Sequence, residues 1–372
     1  MTAGARMLES LTRHLQARQL AALLVYSDGS TNILRPSCLR YVSGCAPLGP
    51  NAAAIVTARG TATLIVEPRS DASRTARQTW IDDVVGTDSF AESVRDVFPR
   101  LDVRGRVGLA GGREMPYPIH EEIARTVALE PADDVLEAIA HEKSPAELER
   151  VRRAAAAADS GFEAFRASAR VGVREYEIVA EVEYAMRLAG ADDNFILLST
   201  GPHNRAMRAP TDRRVEPGDI VIGEISPVLE GQFVQLCRTV SIGPPRPALV
   251  RAYELLLRSY RSSVGRVRAG VPASLLATSI DDVLTEAGYG EYCRPPYMRT
   301  RGHGFGVGSV APGALIDADT SATVLANQVV VIHPNQYLPD TGYLACGESH
   351  LVTANGCERL ARTETKLWIN EA

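Results

Sequence analysis

Apolar side chains at Met7, Leu8, Leu11 and Leu15 recur with helical spacing, which predicts an amphipathic helix over residues 6–20. The unbroken apolar run that follows, AALLVYS at 21–27, reads instead as a buried strand, so the chain opens as an α/β unit. NAAAIVT (51–57), ATLIVEP (62–68), DDVVGTD (82–88) and RVGLAGG (106–112) are further short strands, separated by turn residues and by helical stretches such as YPIHEEIARTV (117–127). The first third is therefore predicted to be a mixed sheet flanked by helices.

The pattern changes at HEKSPAELERVRRAAAAADSGFEAFRAS, residues 141–168. Ser144 and Glu147 form an S-x-x-E capping box with Pro145 at the first helical position, and the Ala-rich body that follows is a strong helix former. A new domain is placed there, giving domains 1–143 and 144–372. A second helix is predicted over 174–188. The stretch VEPGDIVIGEISPVLEGQFVQLCRTVSIG (215–243) reads as two strands, with a Pro217–Gly218 turn leading into the first and LEG turning into the second. Helices over 247–268 and 273–287 precede a Gly-rich turn and a final β region from QVVVIHP to HLVTANGCERL. No repeat at solenoid spacing is present.

A chain of 372 residues exceeds one ordinary core, in keeping with two domains. With 45% hydrophobic and 23% charged residues and a net charge of -5, it has the composition of a soluble globular protein, without an electrostatic call for nucleic acid or membrane. The opening segment lacks the apolar run of a signal peptide, and no stretch reaches the roughly eighteen apolar residues of a membrane span, so a cytoplasmic location is expected. Cys38, Cys45, Cys237, Cys293, Cys346 and Cys357 form no CxxC pair and read as reduced packing thiols.

Motifs in a particular order add to this. RYVSGC (40–45), EKSPAELERVRRAA (142–155), STGPHNRAMRAPTDRRVEPGDIVIGEISP (199–227), QLCRT (235–239), RGHGFGVG (301–308), VVVIHPNQY (329–337) and GESHLVTANGCERL (347–360) follow one another. Together they resemble the pita-bread family of creatinase, prolidase, aminopeptidase P and methionine aminopeptidase, over nearly the whole chain. The resemblance implies an α/β N-terminal domain and an α+β pita-bread C-terminal domain, a curved antiparallel sheet with helices outside. It also implies a homodimer in which the N-terminal domain of one subunit caps the cleft of the other.

In the metallopeptidase members of that family, Asp, Asp, His, Glu and Glu hold two divalent ions. The resemblance puts the first Asp at Glu224, the second at Gln235, the His at His303, the first Glu at His333 and the second at Gly347, with Glu348 beside it. Two divalent ions about 3.5 to 4 Å apart need anionic oxygens between them to offset their repulsion, and an amide and an imidazole do not supply that charge. Met207 stands where peptidases and creatinase carry a His, with His203 four residues earlier, and Val310 and Ala311 stand where the peptidases carry a His-Glu pair.

The function expected from these residues is a metal-independent, creatinase-like enzyme without cofactor, cleaving a C–N bond of a small amino-acid-like or amidine/amide substrate by hydrolysis or elimination. His303 is its leading proton-transfer group and His333 the second, since imidazoles titrate near neutral pH. Glu224 or Glu348 orients an imidazole or binds a cationic nitrogen, and Gln235, His203, Met207 and Arg238 are candidate substrate contacts. Gln235 equally suits a cross-sheet hydrogen bond, and Arg238 a purely structural ion pair. Two alternatives stand beside this reading. One is a mononuclear metal-dependent peptidase-like hydrolase or lyase with Glu224, His303 and His333 as ligands. The other is a non-catalytic binding protein.

Overall fold

The computed structural model describes residues 2–30, 37–141, 143–306 and 315–372. They form two compact units, Met1–Ala140 and His141–Ala372.

In the first unit, helices α1 (Ala3–Ala17), α2 (Cys38–Ser43), α3 (Ala72–Thr75), α4 (Phe90–Arg100), α5 (Tyr117–Ala124) and α6 (Asp133–Ala140) accompany strands β1 (Ala22–Ser27), β2 (Ala52–Thr57), β3 (Ala62–Val66), β4 (Asp83–Gly86), β5 (Arg106–Ala110) and β6 (Ala128–Pro131). The strand order is β4-β3-β2-β1-β5-β6, antiparallel at β1/β2 and β2/β3 and parallel elsewhere. The absence of polar alternation in AALLVYS has a direct cause. Leu23 and Val25 enter one apolar cluster and Leu24 and Tyr26 another, so β1 is covered on both faces. RYVSGC belongs to α2, which ends at Gly44 in the left-handed conformation (φ 75°) that glycine adopts without penalty.

The second unit begins with α7 (Pro145–Ser168), α8 (Glu175–Leu188) and strand β7 (Asp193–Gly201). The capping box forms as expected: Glu147 N–H donates to Ser144 Oγ, and Ser144 N–H donates to Glu147 Oε2 at 2.9 Å. Gly161 lets α7 approach closely, since a Cβ there would stand 2.7 Å from Met186 on α8. Next come β8 (Ile220–Leu229), β9 (Gln232–Phe233) and β10 (Leu236–Ile242), then α9 (Pro247–Val264) and α10 (Ala273–Glu286). The β8–β9 turn is Glu230–Gly231 with φ of 48° and 82°, positive at both positions as a two-residue type I′ hairpin turn requires. The chain closes with β11 (Gly302–Phe305), β12 (Val329–Ile332), β13 (Gln336–Leu338), β14 (Gly342–Leu344), β15 (Gly347–Val352), β16 (Cys357–Arg359) and β17 (Trp368–Asn370).

The main sheet runs β11-β12-β15-β10-β8-β7, antiparallel along this path, with β17 joining β10 in parallel. Side chains alternate across a strand, so the register sorts residues onto two faces. The pairs Glu224↔Cys237, Cys237↔Gly347, Val331↔Ser349 and His303↔Val331 put Glu224, Gln235, His303 and His333 on one face. The pairs Leu236↔Ile225, Leu236↔Glu348 and Ile332↔Glu348 put Arg238, Glu348 and His350 on the other. Tyr260 of α9 reaches Glu348 and His350, so the second face is the helix-covered, outer one. Among the described residues no helix is long and apolar enough to cross a membrane.

Candidate active site

On the inner face, Glu224 sits mid-strand in β8 and is partly exposed. Desolvation pushes its carboxyl up to about 7, opposed by a hydrogen bond from the Gln235 amide and by the charge of Arg299. Gln235 is buried; its backbone N–H donates to Ser349 Oγ at 2.9 Å, its amide nitrogen lies 3.7 Å from Cys237 Sγ, and its Oε1 has no hydrogen-bond partner. Asn335, two residues past His333, closes this end of the floor: its Nδ2 lies 3.5 Å from Cys237 Sγ and its Oδ1 accepts from the Cys346 N–H at 2.9 Å.

His303 and His333 meet edge to face with ring centroids 5.5 Å apart, and His303 is also 4.9 Å from the Phe305 ring. His303 Nδ1 lies 3.2 Å from Gly304 O. His333 is 6% exposed and its Nδ1 has no hydrogen-bond partner. Desolvation, with the charges of His303 and Arg301 adding to it, depresses its pKa to about 3, so it is neutral at physiological pH. Gly347 explains why no fifth ligand stands here: with φ of 132°, a Cβ would lie 2.1 Å from Ile332 O and 2.6 Å from His333 Cα. The chain has used that space to bring β15 against β12.

Glu348, placed in the site by sequence, lies on the outer face with 0% exposure. Arg238 pairs with it there, Arg359 Nε donates to it at 2.8 Å and Thr365 Oγ1 at 2.7 Å, and the Tyr260 hydroxyl also donates. Burial raises its pKa, but Arg238 and Arg359 override burial and hold it at about 2. Arg238 further donates to Cys237 O at 2.9 Å and Gly347 O at 2.8 Å. Neither residue reaches the cleft, so Glu348 as a catalytic group and Arg238 as a substrate contact are withdrawn. Adjacent residues of a strand point opposite ways, and a carboxylate at 348 cannot stand in for one at 347. Met207 packs, partly buried, on the apolar cluster that includes Ile222 and Cys237. His203 is exposed on its loop, with Nε2 2.9 Å from Pro339 O and its ring 5.6 Å from that of Tyr337. Val310 and Ala311 lie outside the described residues.

A largely antiparallel sheet with helices outside and ionisable residues on its inner face defines a pita-bread scaffold. Residues 149–356 match metallopeptidase family M24 and residues 7–139 match the creatinase/prolidase N-terminal domain. The chain belongs to metallopeptidase family M24. It is 24% identical over 337 residues to the Xaa-Pro dipeptidase of Pyrococcus horikoshii, covering 88% of this chain and 91% of that one. With the Xaa-Pro dipeptidase of Pyrococcus furiosus it shares 26% identity over 341 residues, 90% and 94% of the two chains. The crystal structure of an X-Pro aminopeptidase from Thermotoga maritima superposes with a TM-score of 0.85 at 22% identity, covering 98% and 99%.

These findings bear out the pita-bread resemblance and the two-domain fold class, and they support a hydrolase. They overturn the expected metal-independent, creatinase-like chemistry: the family is one of metallopeptidases, and the curated relatives are named as Xaa-Pro dipeptidases. The side chains themselves set limits on how a metal fits. Gln235 and His333 are neutral and Gly347 has no side chain, so these three positions supply none of the anionic oxygens that offset the repulsion of two ions. For one ion the donor chemistry fits at two imidazoles already in contact, one with an orphaned buried nitrogen. The third donor, Glu224, is engaged with Gln235, and among the described residues no three His, Cys, Asp or Glu side chains are gathered to hold an ion.

Proposed function

We propose that the chain is a metal-dependent, peptidase-like hydrolase of short peptides that holds one ion rather than two, with His303 and His333 as its side-chain donors and Glu224 beside them as the base. The observation that carries this is the neutral, partnerless Nδ1 of buried His333 against the ring of His303, in a chain matched along most of its length by Xaa-Pro dipeptidases. A ligating imidazole must be unprotonated, and a pKa of about 3 keeps His333 so across the physiological range. When bound, such an ion supplies polarisation of the scissile carbonyl.

The remaining chemistry belongs to the chain's own groups. Glu224, titrating near 7, takes a proton from the attacking water and returns it to the leaving amine. The Gln235 amide orients that carboxylate, and its partnerless Oε1 accepts from a peptide N–H of the substrate. A homodimer belongs to the same reading, and light scattering would give twice the mass of the chain.

The test is metal content by plasma mass spectrometry after dialysis against manganese, cobalt or zinc, with hydrolysis of Xaa-Pro dipeptides followed in parallel. One ion per chain with turnover is expected. Two ions per chain would overturn the single-ion site, none would overturn metal dependence, and inertness toward every dipeptide offered would overturn the substrate class.

A further inference from the structure

On the outer face, an open pocket of about 490 Å³ lies between α9, β15, β16 and the segment before β17. Its lining is polar where it is deepest: Glu348 and His350 from β15, Tyr260 from α9, and Arg359 and Thr365 across from them. Arg261 and Lys366 stand exposed within the same lining. Nothing in the peptidase reading uses this place, since the sheet separates it from His303 and His333.

Charge and hydrogen bonding specify what it takes. Three cations, Arg261, Arg359 and Lys366, line the pocket against two carboxylates, Glu348 and Glu364, and Glu348 is also paired from behind by buried Arg238, so the lining carries a surplus of one positive charge. The Tyr260 hydroxyl gives its proton to Glu348, so at the 3.1 Å contact between that hydroxyl and His350 Nε2 the imidazole must be the donor. Desolvation holds the pKa of His350 at about 4, against the pull of Glu348, so the ring is neutral and carries one proton only. Nδ1 is then a bare acceptor, buried and without a partner, in a ring 1% exposed that lines the pocket. Cations ask for an anion; an orphaned acceptor beside them asks for a donor on the same molecule.

We infer that this pocket binds a small hydroxylated organic phosphate, its phosphate against Arg261, Arg359 and Lys366 and its hydroxyl donating to His350. Calorimetric titration of the full chain with glycerol 3-phosphate, with inorganic phosphate as the second arm, tests it. Saturable one-to-one binding of glycerol 3-phosphate is expected. Arg261→Ala and Lys366→Ala, both at exposed positions, should each weaken it roughly tenfold as a charge-assisted bond is lost, while His303→Ala should bind as the unmodified chain does. No saturable binding, undiminished binding in both surface variants, or loss of binding in His303→Ala would each overturn the site. Equal affinity for inorganic phosphate would overturn the role given to His350.

Discussion

The two faces of the C-terminal sheet handle buried charge in opposite ways. On the outer face Glu348 is fully enclosed and fully compensated, with Arg238, Arg359, Tyr260 and Thr365 converging on it. On the inner face Glu224 has an amide and a more distant arginine, His333 keeps a nitrogen without partner, and Gln235 keeps an oxygen without one. A compensated buried ion pair fixes one conformation, whereas polar groups left short of partners are costly unless something arrives to satisfy them. The difference teaches where to look for chemistry. The many-partnered carboxylate Glu348 holds the fold, and partnerless buried atoms mark places for a ligand, Gln235 Oε1 and His333 Nδ1 on the inner face and His350 Nδ1 on the outer.

Three substitutions break or sharpen that contrast. Glu348→Gln has the largest expected effect, because it strands Arg238 as an unpaired buried cation; such losses run to about 3–5 kcal/mol, or roughly 10 °C in Tm for a unit of this size. Differential scanning calorimetry reads it, and a variant as stable as the unmodified chain would remove the structural role assigned to the outer face. His303→Ala comes second and should act the other way round. Peptide hydrolysis should fall by at least about 10–100-fold, the range for losing even an outer partner of a metal ligand, with less than about 1 kcal/mol lost from stability in a urea titration. Unchanged turnover would take His303 out of the site.

Much of this contrast was legible beforehand, and the parts that were not have physical reasons. The capping box at Ser144 and Glu147, the Glu230–Gly231 hairpin turn and the first five strands of the first unit follow from local rules that tertiary context did not override, whereas β6 was not predicted. Strand β7 went unpredicted because FILLS is a short apolar run whose neighbours fix no period, and such a run cannot be told from buried helix. The outward aim of Glu348 was available from strand alternation alone, once Gly347 was placed on the inner face. The reason for Gly347 was not available, since it lies in the approach of β15 to the backbone of Ile332 and His333, a contact between residues far from any local pattern. Asn335 and Ser349 as supports of Gln235 and Cys237 are likewise products of register.

The smallest effect is a sign, and it separates the faces most cleanly. Glu348 has its folded pKa held at about 2, below the ordinary 4.5, so the stability it contributes is present above 4.5 and is lost as pH falls toward 2. Glu224 is displaced the other way, to about 7, so between 4.5 and 7 the folded chain retains a proton that the unfolded chain releases, and stability falls as pH rises through that window. Urea titrations at intervals from pH 5 to 8 should therefore show Glu224→Gln losing less stability with rising pH than the unmodified chain does. Hydrolysis by the unmodified chain should climb over the same interval as the carboxylate forms, and the variant should lack that climb. An unmodified chain whose activity is flat across pH 7 would show that Glu224 carries no proton in the reaction. The group that works is thus the one whose working form the fold disfavours, and the inner face keeps it for a reason other than stability.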